Sequence, residues 1–167
     1  MEKIFFEEKQ SFRQIFIWII CLLLICIFLW GFIQQIIFNI PWGNNPSSDL
    51  GLMLFGLIPL GITILLFTLK LTTKVKEDGV YFKFNILNSK FKKIGKEEIA
   101  TYNIRKYKPL EEFGGWGIRF SMKKNAGRAY NVSGNIGMQF ELKNGRKILI
   151  GTQHPDKFKK AVDDMMK

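Results

Sequence analysis

The chain has 167 residues, 47% of them hydrophobic, and carries 25 Lys and Arg against 14 Asp and Glu, a net charge of +11. One histidine and two cysteines, the latter inside an apolar run, leave no His/Cys/Asp/Glu group with metal-ligand spacing. The charge is uneven: residues 1–70 hold four basic and four acidic groups, so 21 of the basic and 10 of the acidic side chains follow Lys70.

Residues 1–14, with Lys3, Lys9 and Arg13, read as an N-terminal tail. Ile15 to Ile33 is apolar all round, and Leu50 to Leu69 forms a second such run; membrane spans are expected over 15–38 and 50–70. Each run is about 20 residues, enough at 1.5 Å per residue to cross roughly 30 Å of hydrocarbon. A core helix of a soluble protein would show an apolar stripe against a polar face. A cleaved signal would be shorter and would end at small residues, and no Ala-x-Ala-like site is present. Cys21 and Cys26 read as buried apolar side chains. Pro59, with Gly51, Gly56 and Gly61, predicts a kinked second span. The intervening loop, residues 39–49, is rich in turn formers and has no lysine or arginine, whereas both outer flanks do. Cytoplasmic flanks carry the basic excess, so both termini are expected in the cytoplasm and the protein in the inner, cytoplasmic membrane. Trp18 and Trp42 suit the interfacial aromatic belt.

From residue 71 onward the pattern is that of a small β domain. Leu69 to Glu77 and Val80 to Phe84 predict a hairpin about Glu77-Asp78-Gly79. A strand is expected from Ile99 to Tyr107, ended by Pro109. Two more, Trp116 to Met122 and Ala129 to Val132, flank the polar turn Lys123-Lys124-Asn125-Ala126-Gly127. Gly137 to Lys143 alternates cleanly, and Asn144-Gly145 is the dipeptide of a type I′ turn leading into Arg146 to Gly151. Pro155 suits the first position of a closing helix with Phe158, Ala161, Val162 and Met165 on one face. The expected class is a transmembrane helical hairpin followed by an α+β domain, a roll or partly open barrel capped by the C-terminal helix.

Several of these segments carry a resemblance. The strand pair about Glu77-Asp78-Gly79-Val80, Arg105-Lys106-Tyr107 followed by Gly114-Gly115-Trp116-Gly117-Ile118-Arg119, the hairpin Leu142-Lys143-Asn144-Gly145-Arg146, and Ile150-Gly151-Thr152-Gln153-His154-Pro155 before the helix resemble the bacterial pleckstrin-homology-like domains. With its opening Phe6-Glu7-Glu8-Lys9-Gln10-Ser11-Phe12, the whole chain is similar to small prokaryotic membrane proteins of two spans followed by such a domain. The resemblance implies about seven strands capped by a helix, and no activity, substrate or cofactor.

Chemistry-bearing residues are sparse. His154 stands at the helix start, where a capping or loop role is expected. Glu97-Glu98, Glu111-Glu112 and Asp163-Asp164 are adjacent in sequence and read as solvated surface. Gly114-Gly115-Trp116-Gly117 reads as a glycine bend setting Trp116 against the sheet, because a phosphate cradle would open a helix and Ile118-Arg119-Phe120 continues as strand. The densest basic cluster is Lys90, Lys92, Lys93 and Lys96, interleaved with Phe91 and Ile94. As a loop it would hold anionic lipid headgroups while the apolar side chains of Phe91 and Ile94 insert among them, or else form an ordinary turn with Phe91 and Ile94 facing inward. No nucleic-acid reading module is present. The expected function is non-catalytic: a membrane-anchored basic domain contacting anionic lipid or protein, without cofactor. The alternative is a structural or regulatory subunit of a larger membrane assembly, cued by the glycines of the second span.

Overall fold

Alternate burial of Phe6, Glu8 and Gln10 marks a strand at the N-terminus, where a tail is expected. In the computed structural model, which describes residues 3–85, 90–121 and 127–167, Ile4–Ser11 forms β1 and pairs antiparallel with β2, Lys70–Lys76, from Ser11↔Lys70 outward. Residues 1–13 therefore group with residues 69–167 in one unit, and residues 14–68 form another. The helical hairpin is an insertion between two paired strands.

Within that hairpin, α1 (Ile15–Phe32) continues into a π-helical turn, Ile33–Ile37, and α2 spans Asp49–Thr68. Both are long and apolar enough to cross a membrane, and only 11% of each is buried, whereas a core helix is mostly buried. Pro59 lies inside α2, and Thr63 Oγ1 donates to its carbonyl at 2.7 Å. The connecting loop folds back on α1. The Trp42 ring rests on Gly31, where a Cβ would collide with it, and lies 6.0 Å from the Phe28 ring. Gln35 ties the loop down: its Nε2 donates to Ser47 O (2.9 Å) and Asp49 Oδ1 (2.7 Å), and its Oε1 accepts from Trp42 N (3.3 Å). Of the two cysteines, Cys21 is buried as expected; Cys26 is exposed on the helix surface, because the two helices enclose only one face of α1.

The β unit holds two sheets. The first has the order β1-β2-β3-β4, all antiparallel, with β3 at Gly79–Phe84 and β4 at Lys92–Gly95. The second runs β5-β8-β9-β7-β6, where β5 is Ile99–Lys106, β6 Gly117–Phe120, β7 Arg128–Asn131, β8 Ile136–Leu142 and β9 Lys147–Gly151; β7 and β9 are parallel. Nine strands are thus described where about seven are expected. Between β5 and β6 a short helix, α3 (Pro109–Phe113), starts on a proline and ends at Gly114, whose left-handed conformation (φ 68°) closes it. The glycine bend is therefore the C-cap of a helix, and Trp116 Nε1 donates to Gly134 O at 3.1 Å.

The core comprises Leu71, Val75, Val80, Phe82, Ile94, Met138, Phe140, Leu149 and Ile150, each 2% exposed or less. Helix α4 (Pro155–Met166) lays Phe158, Ala161, Val162 and Met165 on β1, β2, β5 and β8, which is the expected face. The Phe158 ring stacks on Phe6 at 5.1 Å, with Phe140 6.2 Å away. Full burial of a phenylalanine of this kind contributes about 1.5–3 kcal/mol. Beside it Glu8 accepts from Thr152 Oγ1 (2.7 Å) and Gln153 N (2.8 Å), and Gln10 Nε2 donates to Gly151 O (2.7 Å), while the buried Gln10 Oε1 has no hydrogen-bond partner among the described residues.

The β8–β9 turn differs from the type I′ expected. Leu142 and Arg146 close a three-residue loop, Leu142 N donating to Arg146 O at 2.8 Å, and Gly145 alone has positive φ (79°). A type I′ turn needs positive φ at both central residues, whereas a three-residue loop needs it only at its last. His154 occupies the N-cap of α4 without a side-chain cap bond. Of the expected turn about Lys123-Lys124-Asn125-Ala126-Gly127, all but Gly127 lies outside the described residues.

Candidate functional site

The basic cluster expected as a single loop is divided among three elements, because Ile94 is a core residue and draws its neighbours into β4. Lys92 and Lys93 lie on that strand, Lys96 opens a 3-10 turn (Lys96–Glu98), and Lys90 and Phe91 precede the strand. Ile94 is 1% exposed, as an inward residue should be, whereas Phe91 is 41% exposed, with the Lys83 and Lys74 ammonium groups 4.8 and 6.0 Å from its ring centre. Successive strand residues point to opposite faces. Lys92 accordingly turns to Tyr130, donating to its Oη at 3.0 Å, while Lys93 meets Asp78 at 2.6 Å.

Lys92 and Lys93 enter the rim of a groove of about 670 Å³ whose further residues come from the second sheet. Phe82, Ile94, Tyr130 and Ile148 line its interior; Arg128 at the start of β7, with Arg146 and Lys147 at the β8–β9 turn, add three more cations to the rim, and Glu98 is its one carboxylate among the described residues. Phe82 and Tyr130 pack at 4.6 Å, which joins the two sheets beneath the groove.

The five cations differ in what neutralises them. Lys93 pairs with Asp78, whose carboxyl the ammonium and the Tyr81 hydroxyl hold below its ordinary value. Lys147 pairs with Glu141 at 2.6 Å and lowers that carboxyl in the same way. Lys92 has a tyrosine hydroxyl and ring, Arg128 lies 4.6 Å over the exposed Phe120 ring, and Arg146 reaches only Asn144 Oδ1 (3.4 Å). Among the described residues these three cations have no carboxylate partner. The Glu98 carboxylate is engaged by the Gly95 N–H at 2.8 Å.

Other polar groups are satisfied internally. Arg105 pairs with Glu112 (2.9 Å) and donates to Gln139 Oε1 (3.2 and 3.1 Å). The Tyr107 hydroxyl accepts from Asn131 Nδ2 (3.0 Å), and Asn131 Oδ1 accepts the Gly117 N–H (3.0 Å), which fixes the start of β6. Burial pushes the Tyr107 phenol up to about 12. Among the described residues no three His, Cys, Asp or Glu are grouped to hold a metal ion. Sequence density pointed to Lys92 and Lys93; Arg128, Arg146 and Lys147 were missed, since each stands in a different strand or turn. Lys96 is outside the groove lining, and Lys90 lines a small neighbouring cleft with Lys92, Ile118 and Tyr130.

A model of a family of unknown function, DUF6141, matches residues 2–166, and the chain belongs to that family. No curated protein and no solved structure matches the chain.

Proposed function

For this member of a family without an assigned function, we propose a non-catalytic binding module of the inner, cytoplasmic membrane. Its two-span anchor leaves both termini in the cytoplasm, and its basic β domain takes an anionic partner group. The observation that carries this reading is the trio Lys92, Arg128 and Arg146, exposed cations on one groove, each with no carboxylate partner among the described residues. Cations gathered in a concavity with apolar walls focus the field on an arriving anion. Orientation rests on the basic flanks and the Lys- and Arg-free loop. Leu69 alone separates α2 from β2, so the tether is short. Near anionic headgroups each Lys or Arg gains about 1 kcal/mol. The four-stranded antiparallel sheet and closing helix support a prokaryotic pleckstrin-homology-like assignment, from which the parallel β7–β9 pair and the extra strands depart.

The test uses the full chain in nanodiscs of zwitterionic lipid, titrated with fluorescent inorganic polyphosphate and read by anisotropy. Binding weakens with salt and is lost in the triple variant Lys92→Glu, Arg128→Glu, Arg146→Glu. It persists in the charge-matched Lys106→Glu, Lys157→Glu, Lys160→Glu. Equal losses in the two variants would replace the groove with a diffuse positive field.

A second reading is favoured by the hairpin, which carries a lateral apolar groove of about 460 Å³ lined by residues including Phe28, Phe32, Leu52, Gly56 and Leu60. A partner helix fits such a groove, as a subunit of a larger membrane assembly requires. Crosslinking in native membranes that returned only the monomer would remove this reading.

A further inference from the structure

We infer that the anionic partner is an extended polypeptide segment bearing acidic side chains, added as a further strand along β6; the inference rests on the binding reading above. Among the described residues β6 is the edge of the five-stranded sheet and pairs with β7 alone. Ser121 N donates to Gly127 O at 2.8 Å and Gly117 N to Asn131 Oδ1 at 3.0 Å, so odd-numbered positions face β7. By the alternation of an antiparallel ladder, the backbone N–H and C=O groups of Ile118 and Phe120 then point to the open side.

Edges of this kind are templates for another chain, and proteins ordinarily blunt them with proline, bulges or charge. β6 has neither proline nor bulge, and its one charged side chain, Arg119, is turned back to donate to Trp116 O at 3.0 Å. Its other two side chains are apolar and outside the core, Ile118 at 43% and Phe120 at 64% exposure.

Charge completes the fit. Arg128 stands opposite Phe120 in the β6–β7 register with its guanidinium over that ring, and Phe120, Arg128 and Lys92 line the same groove. A strand laid along β6 places alternate side chains beside Ile118 and Phe120, where carboxylates meet cations that have no ion pair among the described residues. A lipid headgroup would satisfy those cations and leave the outward backbone groups of Ile118 and Phe120, and both side chains, without a role. The polypeptide accounts for all of them.

The experiment uses the full chain in zwitterionic nanodiscs and four probes: a short peptide of alternating glutamate and valine, the same peptide N-methylated along the pairing edge, polyphosphate, and short-chain phosphatidylserine. The unmodified peptide binds, and N-methylation, which keeps every charge and removes the ladder bonds, weakens it by about tenfold. Ile118→Ser, on the same edge but outside the groove lining, weakens the peptide and leaves polyphosphate unchanged. If both peptides bind alike while polyphosphate still binds through the groove cations, strand addition is overturned and the binding reading stands. Phosphatidylserine binding tightly where the peptide does not would make the partner a headgroup and equally overturn the inference. Failure of polyphosphate and of every other probe would remove the binding reading itself.

Discussion

The β domain has two flanks where its sheets end, and they are finished differently. On one, β1 and α4 close the edge: Phe6, Phe140 and Phe158 pack ring against ring, and the buried Glu8 and Gln10 find partners in residues 151–153. On the other, β4 and β6 end their sheets with Ile118 and Phe120 exposed and with Lys92, Arg128 and Arg146 lacking carboxylates among the described residues. The first flank gives the Glu8 carboxylate and the Gln10 amide N–H partners from within and packs three aromatic rings, so it contributes stability. The second leaves cations, backbone and apolar side chains together at one surface, the combination a partner needs.

The largest effect that sharpens this contrast comes from removing β1. Deleting residues 2–11 from the full chain strips a neighbour from β2 and uncovers Phe158, so residues 69–167 should lose protease resistance in detergent. An unchanged digestion pattern would show that the closed flank does not need its strand. Next, Phe158→Ala should lower unfolding stability by about 3–5 kcal/mol, whereas Phe120→Ala on the open flank should stay within about 0.5 kcal/mol in the same denaturant titration. Equal costs would erase the difference between the flanks.

Tyr107 reaches the open flank from beneath, through Asn131 to the first residue of β6. Its folded pKa is raised from 10.0 to about 12 by burial, so the neutral phenol is the form the fold accepts. Stability is therefore intact below pH 10 and falls as the pH rises from 10 toward 12, by about 2–3 kcal/mol in total. Tyr107→Phe should flatten that part of the pH–stability curve, and a slope that survives the substitution would assign the loss elsewhere. The smallest effect belongs to the groove: Lys92→Gln, Arg128→Gln and Arg146→Gln should each change stability by about 0.5 kcal/mol or less. A larger cost would mean that these cations hold the fold together.

Legibility in the sequence followed how local each cause was. β8 alternates along its length and α4 keeps one stripe, so both could be read from a short window. The two apolar helices needed only length and composition. β1 was missed because its buried register runs Phe6, Glu8, Gln10, Phe12, and two polar residues break the alternation. What permits their burial is Gly151, Thr152 and Gln153, at the far end of the chain. β4 was missed because Ile94 is its only buried apolar side chain beside two lysines. The groove was half legible for a similar reason: Lys92 and Lys93 are neighbours in sequence, but Arg128 and Arg146 join them only when β7 and the β8–β9 turn close on β4.

The register Ser11↔Lys70 imposes an order of events during synthesis. β1 leaves the ribosome first and must wait, without its neighbour, until all of residues 14–68 have been made and β2 emerges. With the two helices spanning a bilayer, Lys70 returns to the side of Ser11 only after both have threaded across. A chain stalled after one crossing would leave β2 on the wrong side, β1 unpaired and Phe6 uncovered. If the two helices span a bilayer, the first sheet can be completed only once both have crossed.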